Sequence, residues 1–360
     1  MANVIELKVN QMAEKISSYI IKMTTEERFK KMNKHAFYLS GAPGVGKSQG
    51  VQEIKRRVEE ATGKTVNITG LRLLLCAPTD LRGIPFANED KTKAVWLRPE
   101  MFDMDPSEDV INFLFLDELS AAAPSVQAAA YQITLERRIG EHQLPDNCFV
   151  LAAGNRITDK SVATRMPKAL ANRLTHFDII PDLEDWKQWA YRKGVDSRIV
   201  GFLNFKPSLL NKFDPSTDDN AFPTPRAWET VNDFIDIYGG IEEAFECIAG
   251  TIGLGAAGEF KRYCQVFMNI PNVDDVFAGN PIKMPTQPDI LYALSAAISG
   301  RSKGITKKQM ENVLKFTMEM PQEFAVLTVK DMLLVDGVKN VMITCKAWSE
   351  WSKKMRQLIL

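Results

Sequence analysis

The pattern of apolar and polar positions changes near residue 180. Between residues 35 and 180, short apolar runs alternate with longer mixed segments, and the runs lie at 36–39, 66–68, 113–116, 149–152 and 177–180. Short apolar runs separated by helical crossovers are typical of buried parallel strands. The pattern therefore predicts an α/β domain built on a five-stranded parallel sheet.

Helical periodicity dominates the rest of the chain. Residues 5–33 are predicted to be mostly helical because apolar residues such as Ile5, Val9, Met12 and Ile16 recur at helix-like spacing. Helices are also predicted at 183–193, 196–205, 226–238, 241–267, 289–299, 306–319, 322–335 and 339–358. The stretch 271–288 is rich in Pro, Asn and Gly, which is typical of an extended linker. The predicted segments are 1–33 (helical), 34–181 (α/β core), 182–270 (helical), 271–288 (linker) and 289–360 (helical).

Composition excludes several classes of protein. The 360 residues carry 45 basic and 45 acidic side chains, and this balance argues against a nucleic-acid coat protein or a polybasic membrane binder. The absence of a long apolar run or a signal-peptide core predicts no membrane span and a cytoplasmic protein. The 5 Cys and 3 His residues are scattered without metal-ligand spacing, which disfavours a zinc or haem site.

A phosphate-binding motif follows the first predicted strand of the core. The sequence GAPGVGKS at 41–48, called the phosphate loop below, matches GxxxxGK[ST] between a strand and a helix. Glycines let backbone N–H groups surround phosphate oxygens, and the helix N-terminus adds a positive dipole. We expect the motif to bind ATP, with Lys47 on the β- and γ-phosphates and Ser48 on Mg²⁺. The nucleotide-binding residues are Gly41, Ala42, Pro43, Gly44, Val45, Gly46, Lys47 and Ser48.

An apolar strand at 112–116 ends in two carboxylates, Asp117 and Glu118. ATP hydrolysis needs a metal anchor and a group that activates or orients water. We expect Asp117 to hold Mg²⁺ and Glu118 to polarise the attacking water. By itself the pattern is weak, because any strand can end in acidic residues, but the phosphate loop makes it much more specific.

The two motifs together resemble those of AAA+ ATPases, over about residues 35–270. The resemblance implies a P-loop α/β core, an all-helical lid over 182–270 and a helical tail. Asn155, after the apolar run 149–152, resembles the sensor-1 residue that detects the γ-phosphate; otherwise it is a turn-forming Asn. Arg173, in the sequence MPKALANR, resembles the arginine finger that enters the neighbouring subunit's ATP site; its alternative role is a structural ion pair. Two further arginines, Arg156 and Arg165, are close enough in sequence to share that role.

Three more regions extend the resemblance to AAA+ ATPases, and the second of them narrows it to one clade. The sequence PTPRAW at 223–228 is similar to the start of the sensor-2 helix, with Thr224 as cap, Pro225 in the first turn and Arg226 on the γ-phosphate. The sequence PTDLRGIP at 78–85 resembles the D-L-x-G-x-P segment of MoxR-like ATPases of the helix-2-insert clade. Residues 132–140 and 144–147 resemble the hairpin region before sensor 1, with its turn near Gly140–His142; ordinary loop and hairpin structure is the alternative.

The resemblance implies an ATP-hydrolysing ring, expected to be a hexamer, that remodels or helps to assemble a protein partner. MoxR-like ATPases commonly work with von Willebrand factor A domain proteins, so such a partner is implied. Two alternatives stay open. One is a nucleic-acid motor or nucleotide-driven restriction translocase, which zero net charge disfavours. The other is a nucleotide-dependent scaffold or switch without essential turnover, against which the set of catalytic residues argues.

Overall fold

The computed structural model describes residues 4–159, 164 and 166–359, with side chains described up to residue 355. The strands are β1 (Ile5–Lys8), β2 (Ala36–Ser40), β3 (Thr65–Arg72), β4 (Ile84–Ala87), β5 (Ala94–Leu97), β6 (Val110–Asp117), β7 (Arg138–Ile139), β8 (His142–Gln143), β9 (Cys148–Gly154) and β10 (Leu174–Ile180). The helices of the first half are α1 (Val9–Thr25), α2 (Glu27–Lys30), α3 (Lys47–Thr62), α4 (Pro78–Arg82), α5 (Pro124–Glu136) and α6 (Lys168–Ala171). Those of the second half are α7 (Leu183–Lys193), α8 (Ser197–Phe205), α9 (Pro225–Tyr238), α10 (Phe245–Ile252), α11 (Leu254–Phe267), α12 (Val273–Ala278), α13 (Pro288–Arg301), α14 (Lys307–Thr317), α15 (Gln322–Leu333), α16 (Val338–Met342) and α17 (Lys346–Ile359).

The main sheet is parallel throughout, with the strand order β1-β10-β2-β9-β6-β3. The strand β9 is buried along its whole length, and β6 is buried except at its two ends. Burial on both faces explains why these strands appear in the sequence as continuous apolar runs. The predicted fold class, a P-loop α/β core followed by a helical region, is confirmed, and all five predicted strands are present.

The N-terminal segment corrects the helix prediction. Residues 5–8 form β1 and pair in parallel with β10, with Ile5 opposite Phe177. The sheet therefore has six strands instead of five. A four-residue strand at a sheet edge is stabilised by backbone pairing with a partner far away in sequence, and helical periodicity does not reveal such a partner. The helix α1 begins directly after it and buries Met12, Ile16 and Ile20.

The chain divides into two compact units at Ile180/Pro181, with the short piece Asp214–Thr217 grouped with the first. In the described part of the second unit, the regular structure is helical, and an apolar cluster runs from Trp186 on α7 to Met355 on α17. Helices from the predicted segments 182–270 and 289–360 thus share one core. The segment 271–288, predicted as a linker, contains α12. None of the helices in the described part of the chain is long and apolar enough to cross a membrane.

A buried ion pair lies within the second unit. The Nζ of Lys187, on α7, is 2.6 Å from Oδ1 of Asp331, on α15, and both side chains are 0% exposed. The other carboxylate oxygen of Asp331 accepts hydrogen bonds from the Tyr191 hydroxyl and the Asn204 amide, each at 3.0 Å. A charge removed from water is tolerated only when it is paired and hydrogen-bonded. This pair therefore links α7 to α15 in the interior of the second unit.

We expect Lys187→Met to destabilise the protein strongly. The substitution leaves the Asp331 carboxylate buried without its cation, a situation that costs about 3–5 kcal/mol. The double variant Lys187→Met/Asp331→Leu is expected to recover much of that loss, because no charge is then stranded. Urea unfolding of both variants checks this, and a double variant as unstable as Lys187→Met would refute it.

Candidate functional site

Three neighbouring strands bring the predicted motifs to one edge of the sheet. In the parallel ladders, Ser40 of β2 is opposite Gly154 of β9, and Leu116 of β6 is opposite Ala152 of β9. The phosphate loop follows Ser40, while Asp117 ends β6 and Asn155 follows β9. In open α/β sheets, ligands bind at the carboxyl ends of the strands. The fold therefore places all three motifs at the edge where such sites occur.

The phosphate loop has the strand–loop–helix context that its motif requires, between β2 and α3. Gly46 has a φ of 99° and forms the N-cap of α3, a backbone conformation that favours glycine. The Nζ of Lys47 lies 2.7 Å from the carbonyl oxygen of Gly41 and 3.0 Å from that of Ala42. The ammonium group thus lies against the loop itself. Ser48 follows in the first turn of α3.

The two acidic residues at the end of β6 differ in backbone conformation. Asp117 continues the strand, and its Oδ1 accepts the backbone N–H of Glu118 at 2.9 Å. Glu118 has φ 57° and ψ 32°, in the left-handed region. A non-glycine residue there costs on the order of 1–3 kcal/mol, and such strain concentrates at functional sites. Both side chains are half-buried, so they remain accessible to water and to a ligand.

Asn155 lies beside Lys47. Its Oδ1 accepts a hydrogen bond from Lys47 Nζ at 3.0 Å, and its backbone carbonyl accepts one from the Ser120 hydroxyl at 3.0 Å. The preceding residue, Gly154, is closely packed, since a Cβ there would lie 2.4 Å from Tyr38 Oη and 2.5 Å from Ser120 Oγ. The structure therefore joins the phosphate loop and the predicted γ-phosphate sensor by a direct side-chain contact.

The donor set suits Mg²⁺ better than a transition metal. Among the described residues, no cluster of three or more His, Cys, Asp or Glu side chains is placed to hold a metal. A P-loop site does not need one, because Mg²⁺ keeps several waters and takes phosphate oxygens with only one or two protein ligands. Asp117 offers a carboxylate and Ser48 a hydroxyl, which are the hard oxygen donors that Mg²⁺ prefers.

The predicted arginines fall in different surroundings. Arg173 is exposed just before β10, and its side chain makes no hydrogen bond or ion pair with the described residues. Arg226 is exposed in the first turn of α9, in the second unit. Its helix begins as predicted, with Thr224 Oγ1 accepting the Ala227 N–H at 3.0 Å and Pro225 in the first turn. The alternative finger Arg165 lies outside the described residues.

The other alternative, Arg156, is held by contacts within its own chain. Its Nε is 2.7 Å from Oδ1 of Asp178 on β10, and its backbone N–H donates to Asp159 Oδ2 at 3.1 Å. Burial raises the pKa of the Asp159 carboxyl, although the N–H and charge of Arg156 act in the opposite direction. Sequence reasoning missed both aspartates. Asp178 lies within a predicted apolar strand run, and this polar interruption was the available signal.

Two short hairpins complete the region, β4–β5 and β7–β8. The turn of β7–β8 lies at Gly140–Glu141, as predicted, but residues 132–136 belong to α5 and not to the hairpin, because the helix continues until Arg137 adopts a φ of 53°. The His142 ring nitrogen Nε2 lies 3.0 Å from the carbonyl oxygen of Trp96 on β5. The two hairpins therefore contact each other.

One face of the β4–β5 hairpin is apolar and exposed. Ile84 pairs with Leu97 and Phe86 with Val95 in the antiparallel register, so these four side chains share one face. Their exposures are 63%, 55%, 65% and 46%, respectively. Clustered exposed apolar groups mark an interaction surface more often than isolated ones do.

No protein-family model matches the sequence, and no curated protein matches it. Several solved structures show a weak overall likeness. Caenorhabditis elegans PCH-2 is 14% identical over 82% of this chain and 70% of its own, with a TM-score of 0.35. A chain of the Escherichia coli MS115-1 HORMA:CdnC:Trip13 complex is 15% identical over 67% of this chain and 87% of its own, with a TM-score of 0.39. A Thermotoga maritima RuvB K64R mutant is 12% identical over 82% of this chain and 84% of its own, with a TM-score of 0.39. Likenesses this weak carry nothing about activity, which rests on the residues of the chain itself.

Proposed function

We propose that the protein is an AAA+ ATPase of the MoxR type that hydrolyses ATP and uses the energy to remodel or assemble a protein partner. One observation carries the proposal: three adjacent strands, β2, β9 and β6, bring the site residues to one edge of the sheet. There Lys47 contacts Asn155, and the pair Asp117–Glu118 lies at the end of β6. Phosphate binding, metal holding and water activation require these functional groups in one place. A scaffold without turnover needs neither Glu118 nor its strained backbone.

Each residue of the proposed site has its own role in ATP hydrolysis. The loop amides and Lys47 bind the phosphates, and Lys47 exchanges its loop carbonyl contacts for phosphate oxygens when ATP enters. Ser48 and Asp117 would hold Mg²⁺, which when bound would supply charge neutralisation at the phosphates. Glu118 accepts a proton from the attacking water, or orients that water. Asn155 senses the γ-phosphate from its position beside Lys47.

The exposure of Arg173 supports the proposed assembly into a ring. An exposed arginine without a partner in the described part of its own chain suits a role in the ATP site of a neighbouring subunit. A contact that joins different surfaces of identical subunits closes into a ring when the rotation allows, and a hexamer is the arrangement proposed. On the AAA+ resemblance alone, Arg226 is also proposed to contact the γ-phosphate, in its own subunit or in a neighbouring one, and to couple nucleotide state to the helical lid.

The apolar face of the β4–β5 hairpin is the proposed contact for the protein partner. Its four exposed side chains, Ile84, Phe86, Val95 and Leu97, supply an apolar patch without a net charge to steer nucleic acid. A von Willebrand factor A domain protein is the proposed partner, on the strength of the MoxR resemblance.

We expect Lys47→Ala to abolish productive ATP binding, because the loop then lacks the only side-chain cation of its motif. Titration with ATP and Mg²⁺, followed by calorimetry, checks this. Lys55→Ala is a matched control on α3, where the lysine is 3.7 Å from Glu59 Oε1 at the surface, and it should bind like wild type. Equal ATP affinity in Lys47→Ala and wild type would remove the phosphate loop from the proposed site.

We expect Phe86→Ser to weaken partner capture by roughly tenfold or more, the effect of losing a central apolar anchor. The measurement uses the Glu118→Gln protein as bait with ATP, and compares recovery of the bound protein with and without Phe86→Ser. Ile237→Ser is the matched control, because Ile237, like Phe86, is an exposed large apolar residue, 73% accessible on α9. Unchanged recovery with Phe86→Ser would exclude the hairpin face as the contact.

A further inference from the structure

One carboxylate connects the two segments that carry Lys47 and Asn155. Oδ1 of Asp178 accepts a hydrogen bond from the Ser40 hydroxyl at 3.1 Å and one from Arg156 Nε at 2.7 Å. Ser40 directly precedes the phosphate loop, and Arg156 directly follows Asn155. The Asp178 side chain therefore bridges the entry to the loop and the exit of the sensor strand.

One end of this bridge is fixed to the sheet, and the other end is fixed to the turn that follows Arg156. Asp178 is directly opposite Ser40 in the parallel β10–β2 ladder. The Ser40 hydroxyl also lies 3.2 Å from the Phe177 carbonyl oxygen, so its position is set by two acceptors on β10. On the other side, the Arg156 backbone N–H donates to Asp159 Oδ2 at 3.1 Å. The bridge joins two defined points and not two mobile side chains.

Asn155 is consequently held from both directions. The Ser120 hydroxyl donates to its carbonyl oxygen, and the next residue, Arg156, is tied to Asp178. Its side-chain oxygen is then 3.0 Å from Lys47 Nζ. Groups that act on a reacting phosphate must be held close to one geometry, because a displacement of about 1 Å can cost roughly 100-fold in rate.

We propose that Asp178 and Arg156 are a positioning pair for ATP hydrolysis, which fixes Asn155 relative to the phosphate loop. The pair touches neither ATP nor the attacking water; it acts through Asn155. This inference rests on the proposed ATPase function and adds two residues that the AAA+ resemblance left unassigned or assigned differently. It also removes Arg156 from the candidates for the arginine finger.

The test compares Asp178→Asn and Arg156→Gln with wild type in kcat, KM for ATP and thermal unfolding. We expect kcat to fall by about 10- to 100-fold, with KM within about threefold. Little change in Tm is expected, since both side chains keep contact with water and the net stability of such an ion pair is small. The double variant should be no slower than the slower single variant. Arg156→Lys, which keeps the charge, should recover part of the rate.

Arg198→Gln is the matched control. Arg198 pairs with Asp196 at 2.5 Å, and the two side chains are 32% and 16% exposed, against 31% and 14% for Arg156 and Asp178. It should keep the wild-type kcat. A wild-type kcat in Asp178→Asn, or a fall in kcat that parallels a fall in Tm, would overturn the positioning role and leave the proposed ATPase function in place. Absence of Lys47-dependent hydrolysis in wild type would overturn both.

Discussion

Replacing Glu118 by Gln is expected to leave ATP bound but to slow hydrolysis by about 100- to 10,000-fold, the usual contribution of a general base or water-orienting carboxylate. Gln has nearly the same shape as Glu, so the left-handed backbone at this position and the hydrogen bond from its N–H to Asp117 are preserved. What is lost is the ability to accept a proton from water. Binding and turnover should therefore separate in this one variant.

Calorimetry for ATP affinity and phosphate release for turnover measure the two effects on the same preparation. Glu14→Gln repeats the chemical change at an exposed position on α1 and should behave like wild type in both assays. Turnover near the wild-type rate in Glu118→Gln would remove Glu118 from its role. A parallel loss of ATP affinity would show that the residue serves binding instead.

Mixing two inactive proteins, Arg173→Ala and Lys47→Ala, is expected to restore part of the activity. An arginine finger accounts for about 10³- to 10⁵-fold in rate in characterised cases, so Arg173→Ala alone should be nearly inactive. Lys47→Ala alone should be inactive because it does not bind ATP productively. In a mixed ring, an Arg173→Ala subunit keeps an intact loop and receives the finger of a Lys47→Ala neighbour. Random mixing at equal amounts makes about a quarter of such head-to-tail interfaces complete.

The control mixture combines Lys47→Ala with Glu118→Gln. Both residues belong to the same half of the site, so every interface in that mixture lacks one of them and no activity should return. Phosphate release across mixing ratios, after dissociation and reassembly of the rings, is the measurement. If Arg173→Ala and Lys47→Ala show no rescue at any ratio, then Arg173 does not act on a neighbouring subunit.

Sequence patterns predicted the strands and helices whose signals lie within the segment itself. The strands β6 and β9 are buried on both faces, and the resulting apolar runs are visible without any fold. The helix α9 carries its own start signal in Thr224 and Pro225. The strand β1 could not be predicted in this way, because its stability comes from pairing with β10, more than 160 residues later in the chain.

In the candidate site, too, contiguous motifs could be predicted and contacts between distant segments could not. The phosphate loop and the acidic end of β6 are contiguous motifs, so the sequence contains their chemistry directly. Contacts between motifs are not contiguous: Asp178 meets Ser40 and Arg156 only because β10, β2 and β9 are neighbours in the sheet. The positive φ of Glu118 likewise could not be predicted from its residue type, because it arises where β6 ends and the following turn begins.

The central claim, that this site hydrolyses ATP, is tested most directly by phosphate release from ATP and Mg²⁺ over a wide range of protein concentration. We predict turnover in the wild-type protein that rises steeply as subunits assemble, and none above background in Lys47→Ala prepared in parallel. Release that is absent at every concentration, or equal in wild type and Lys47→Ala, would contradict the claim.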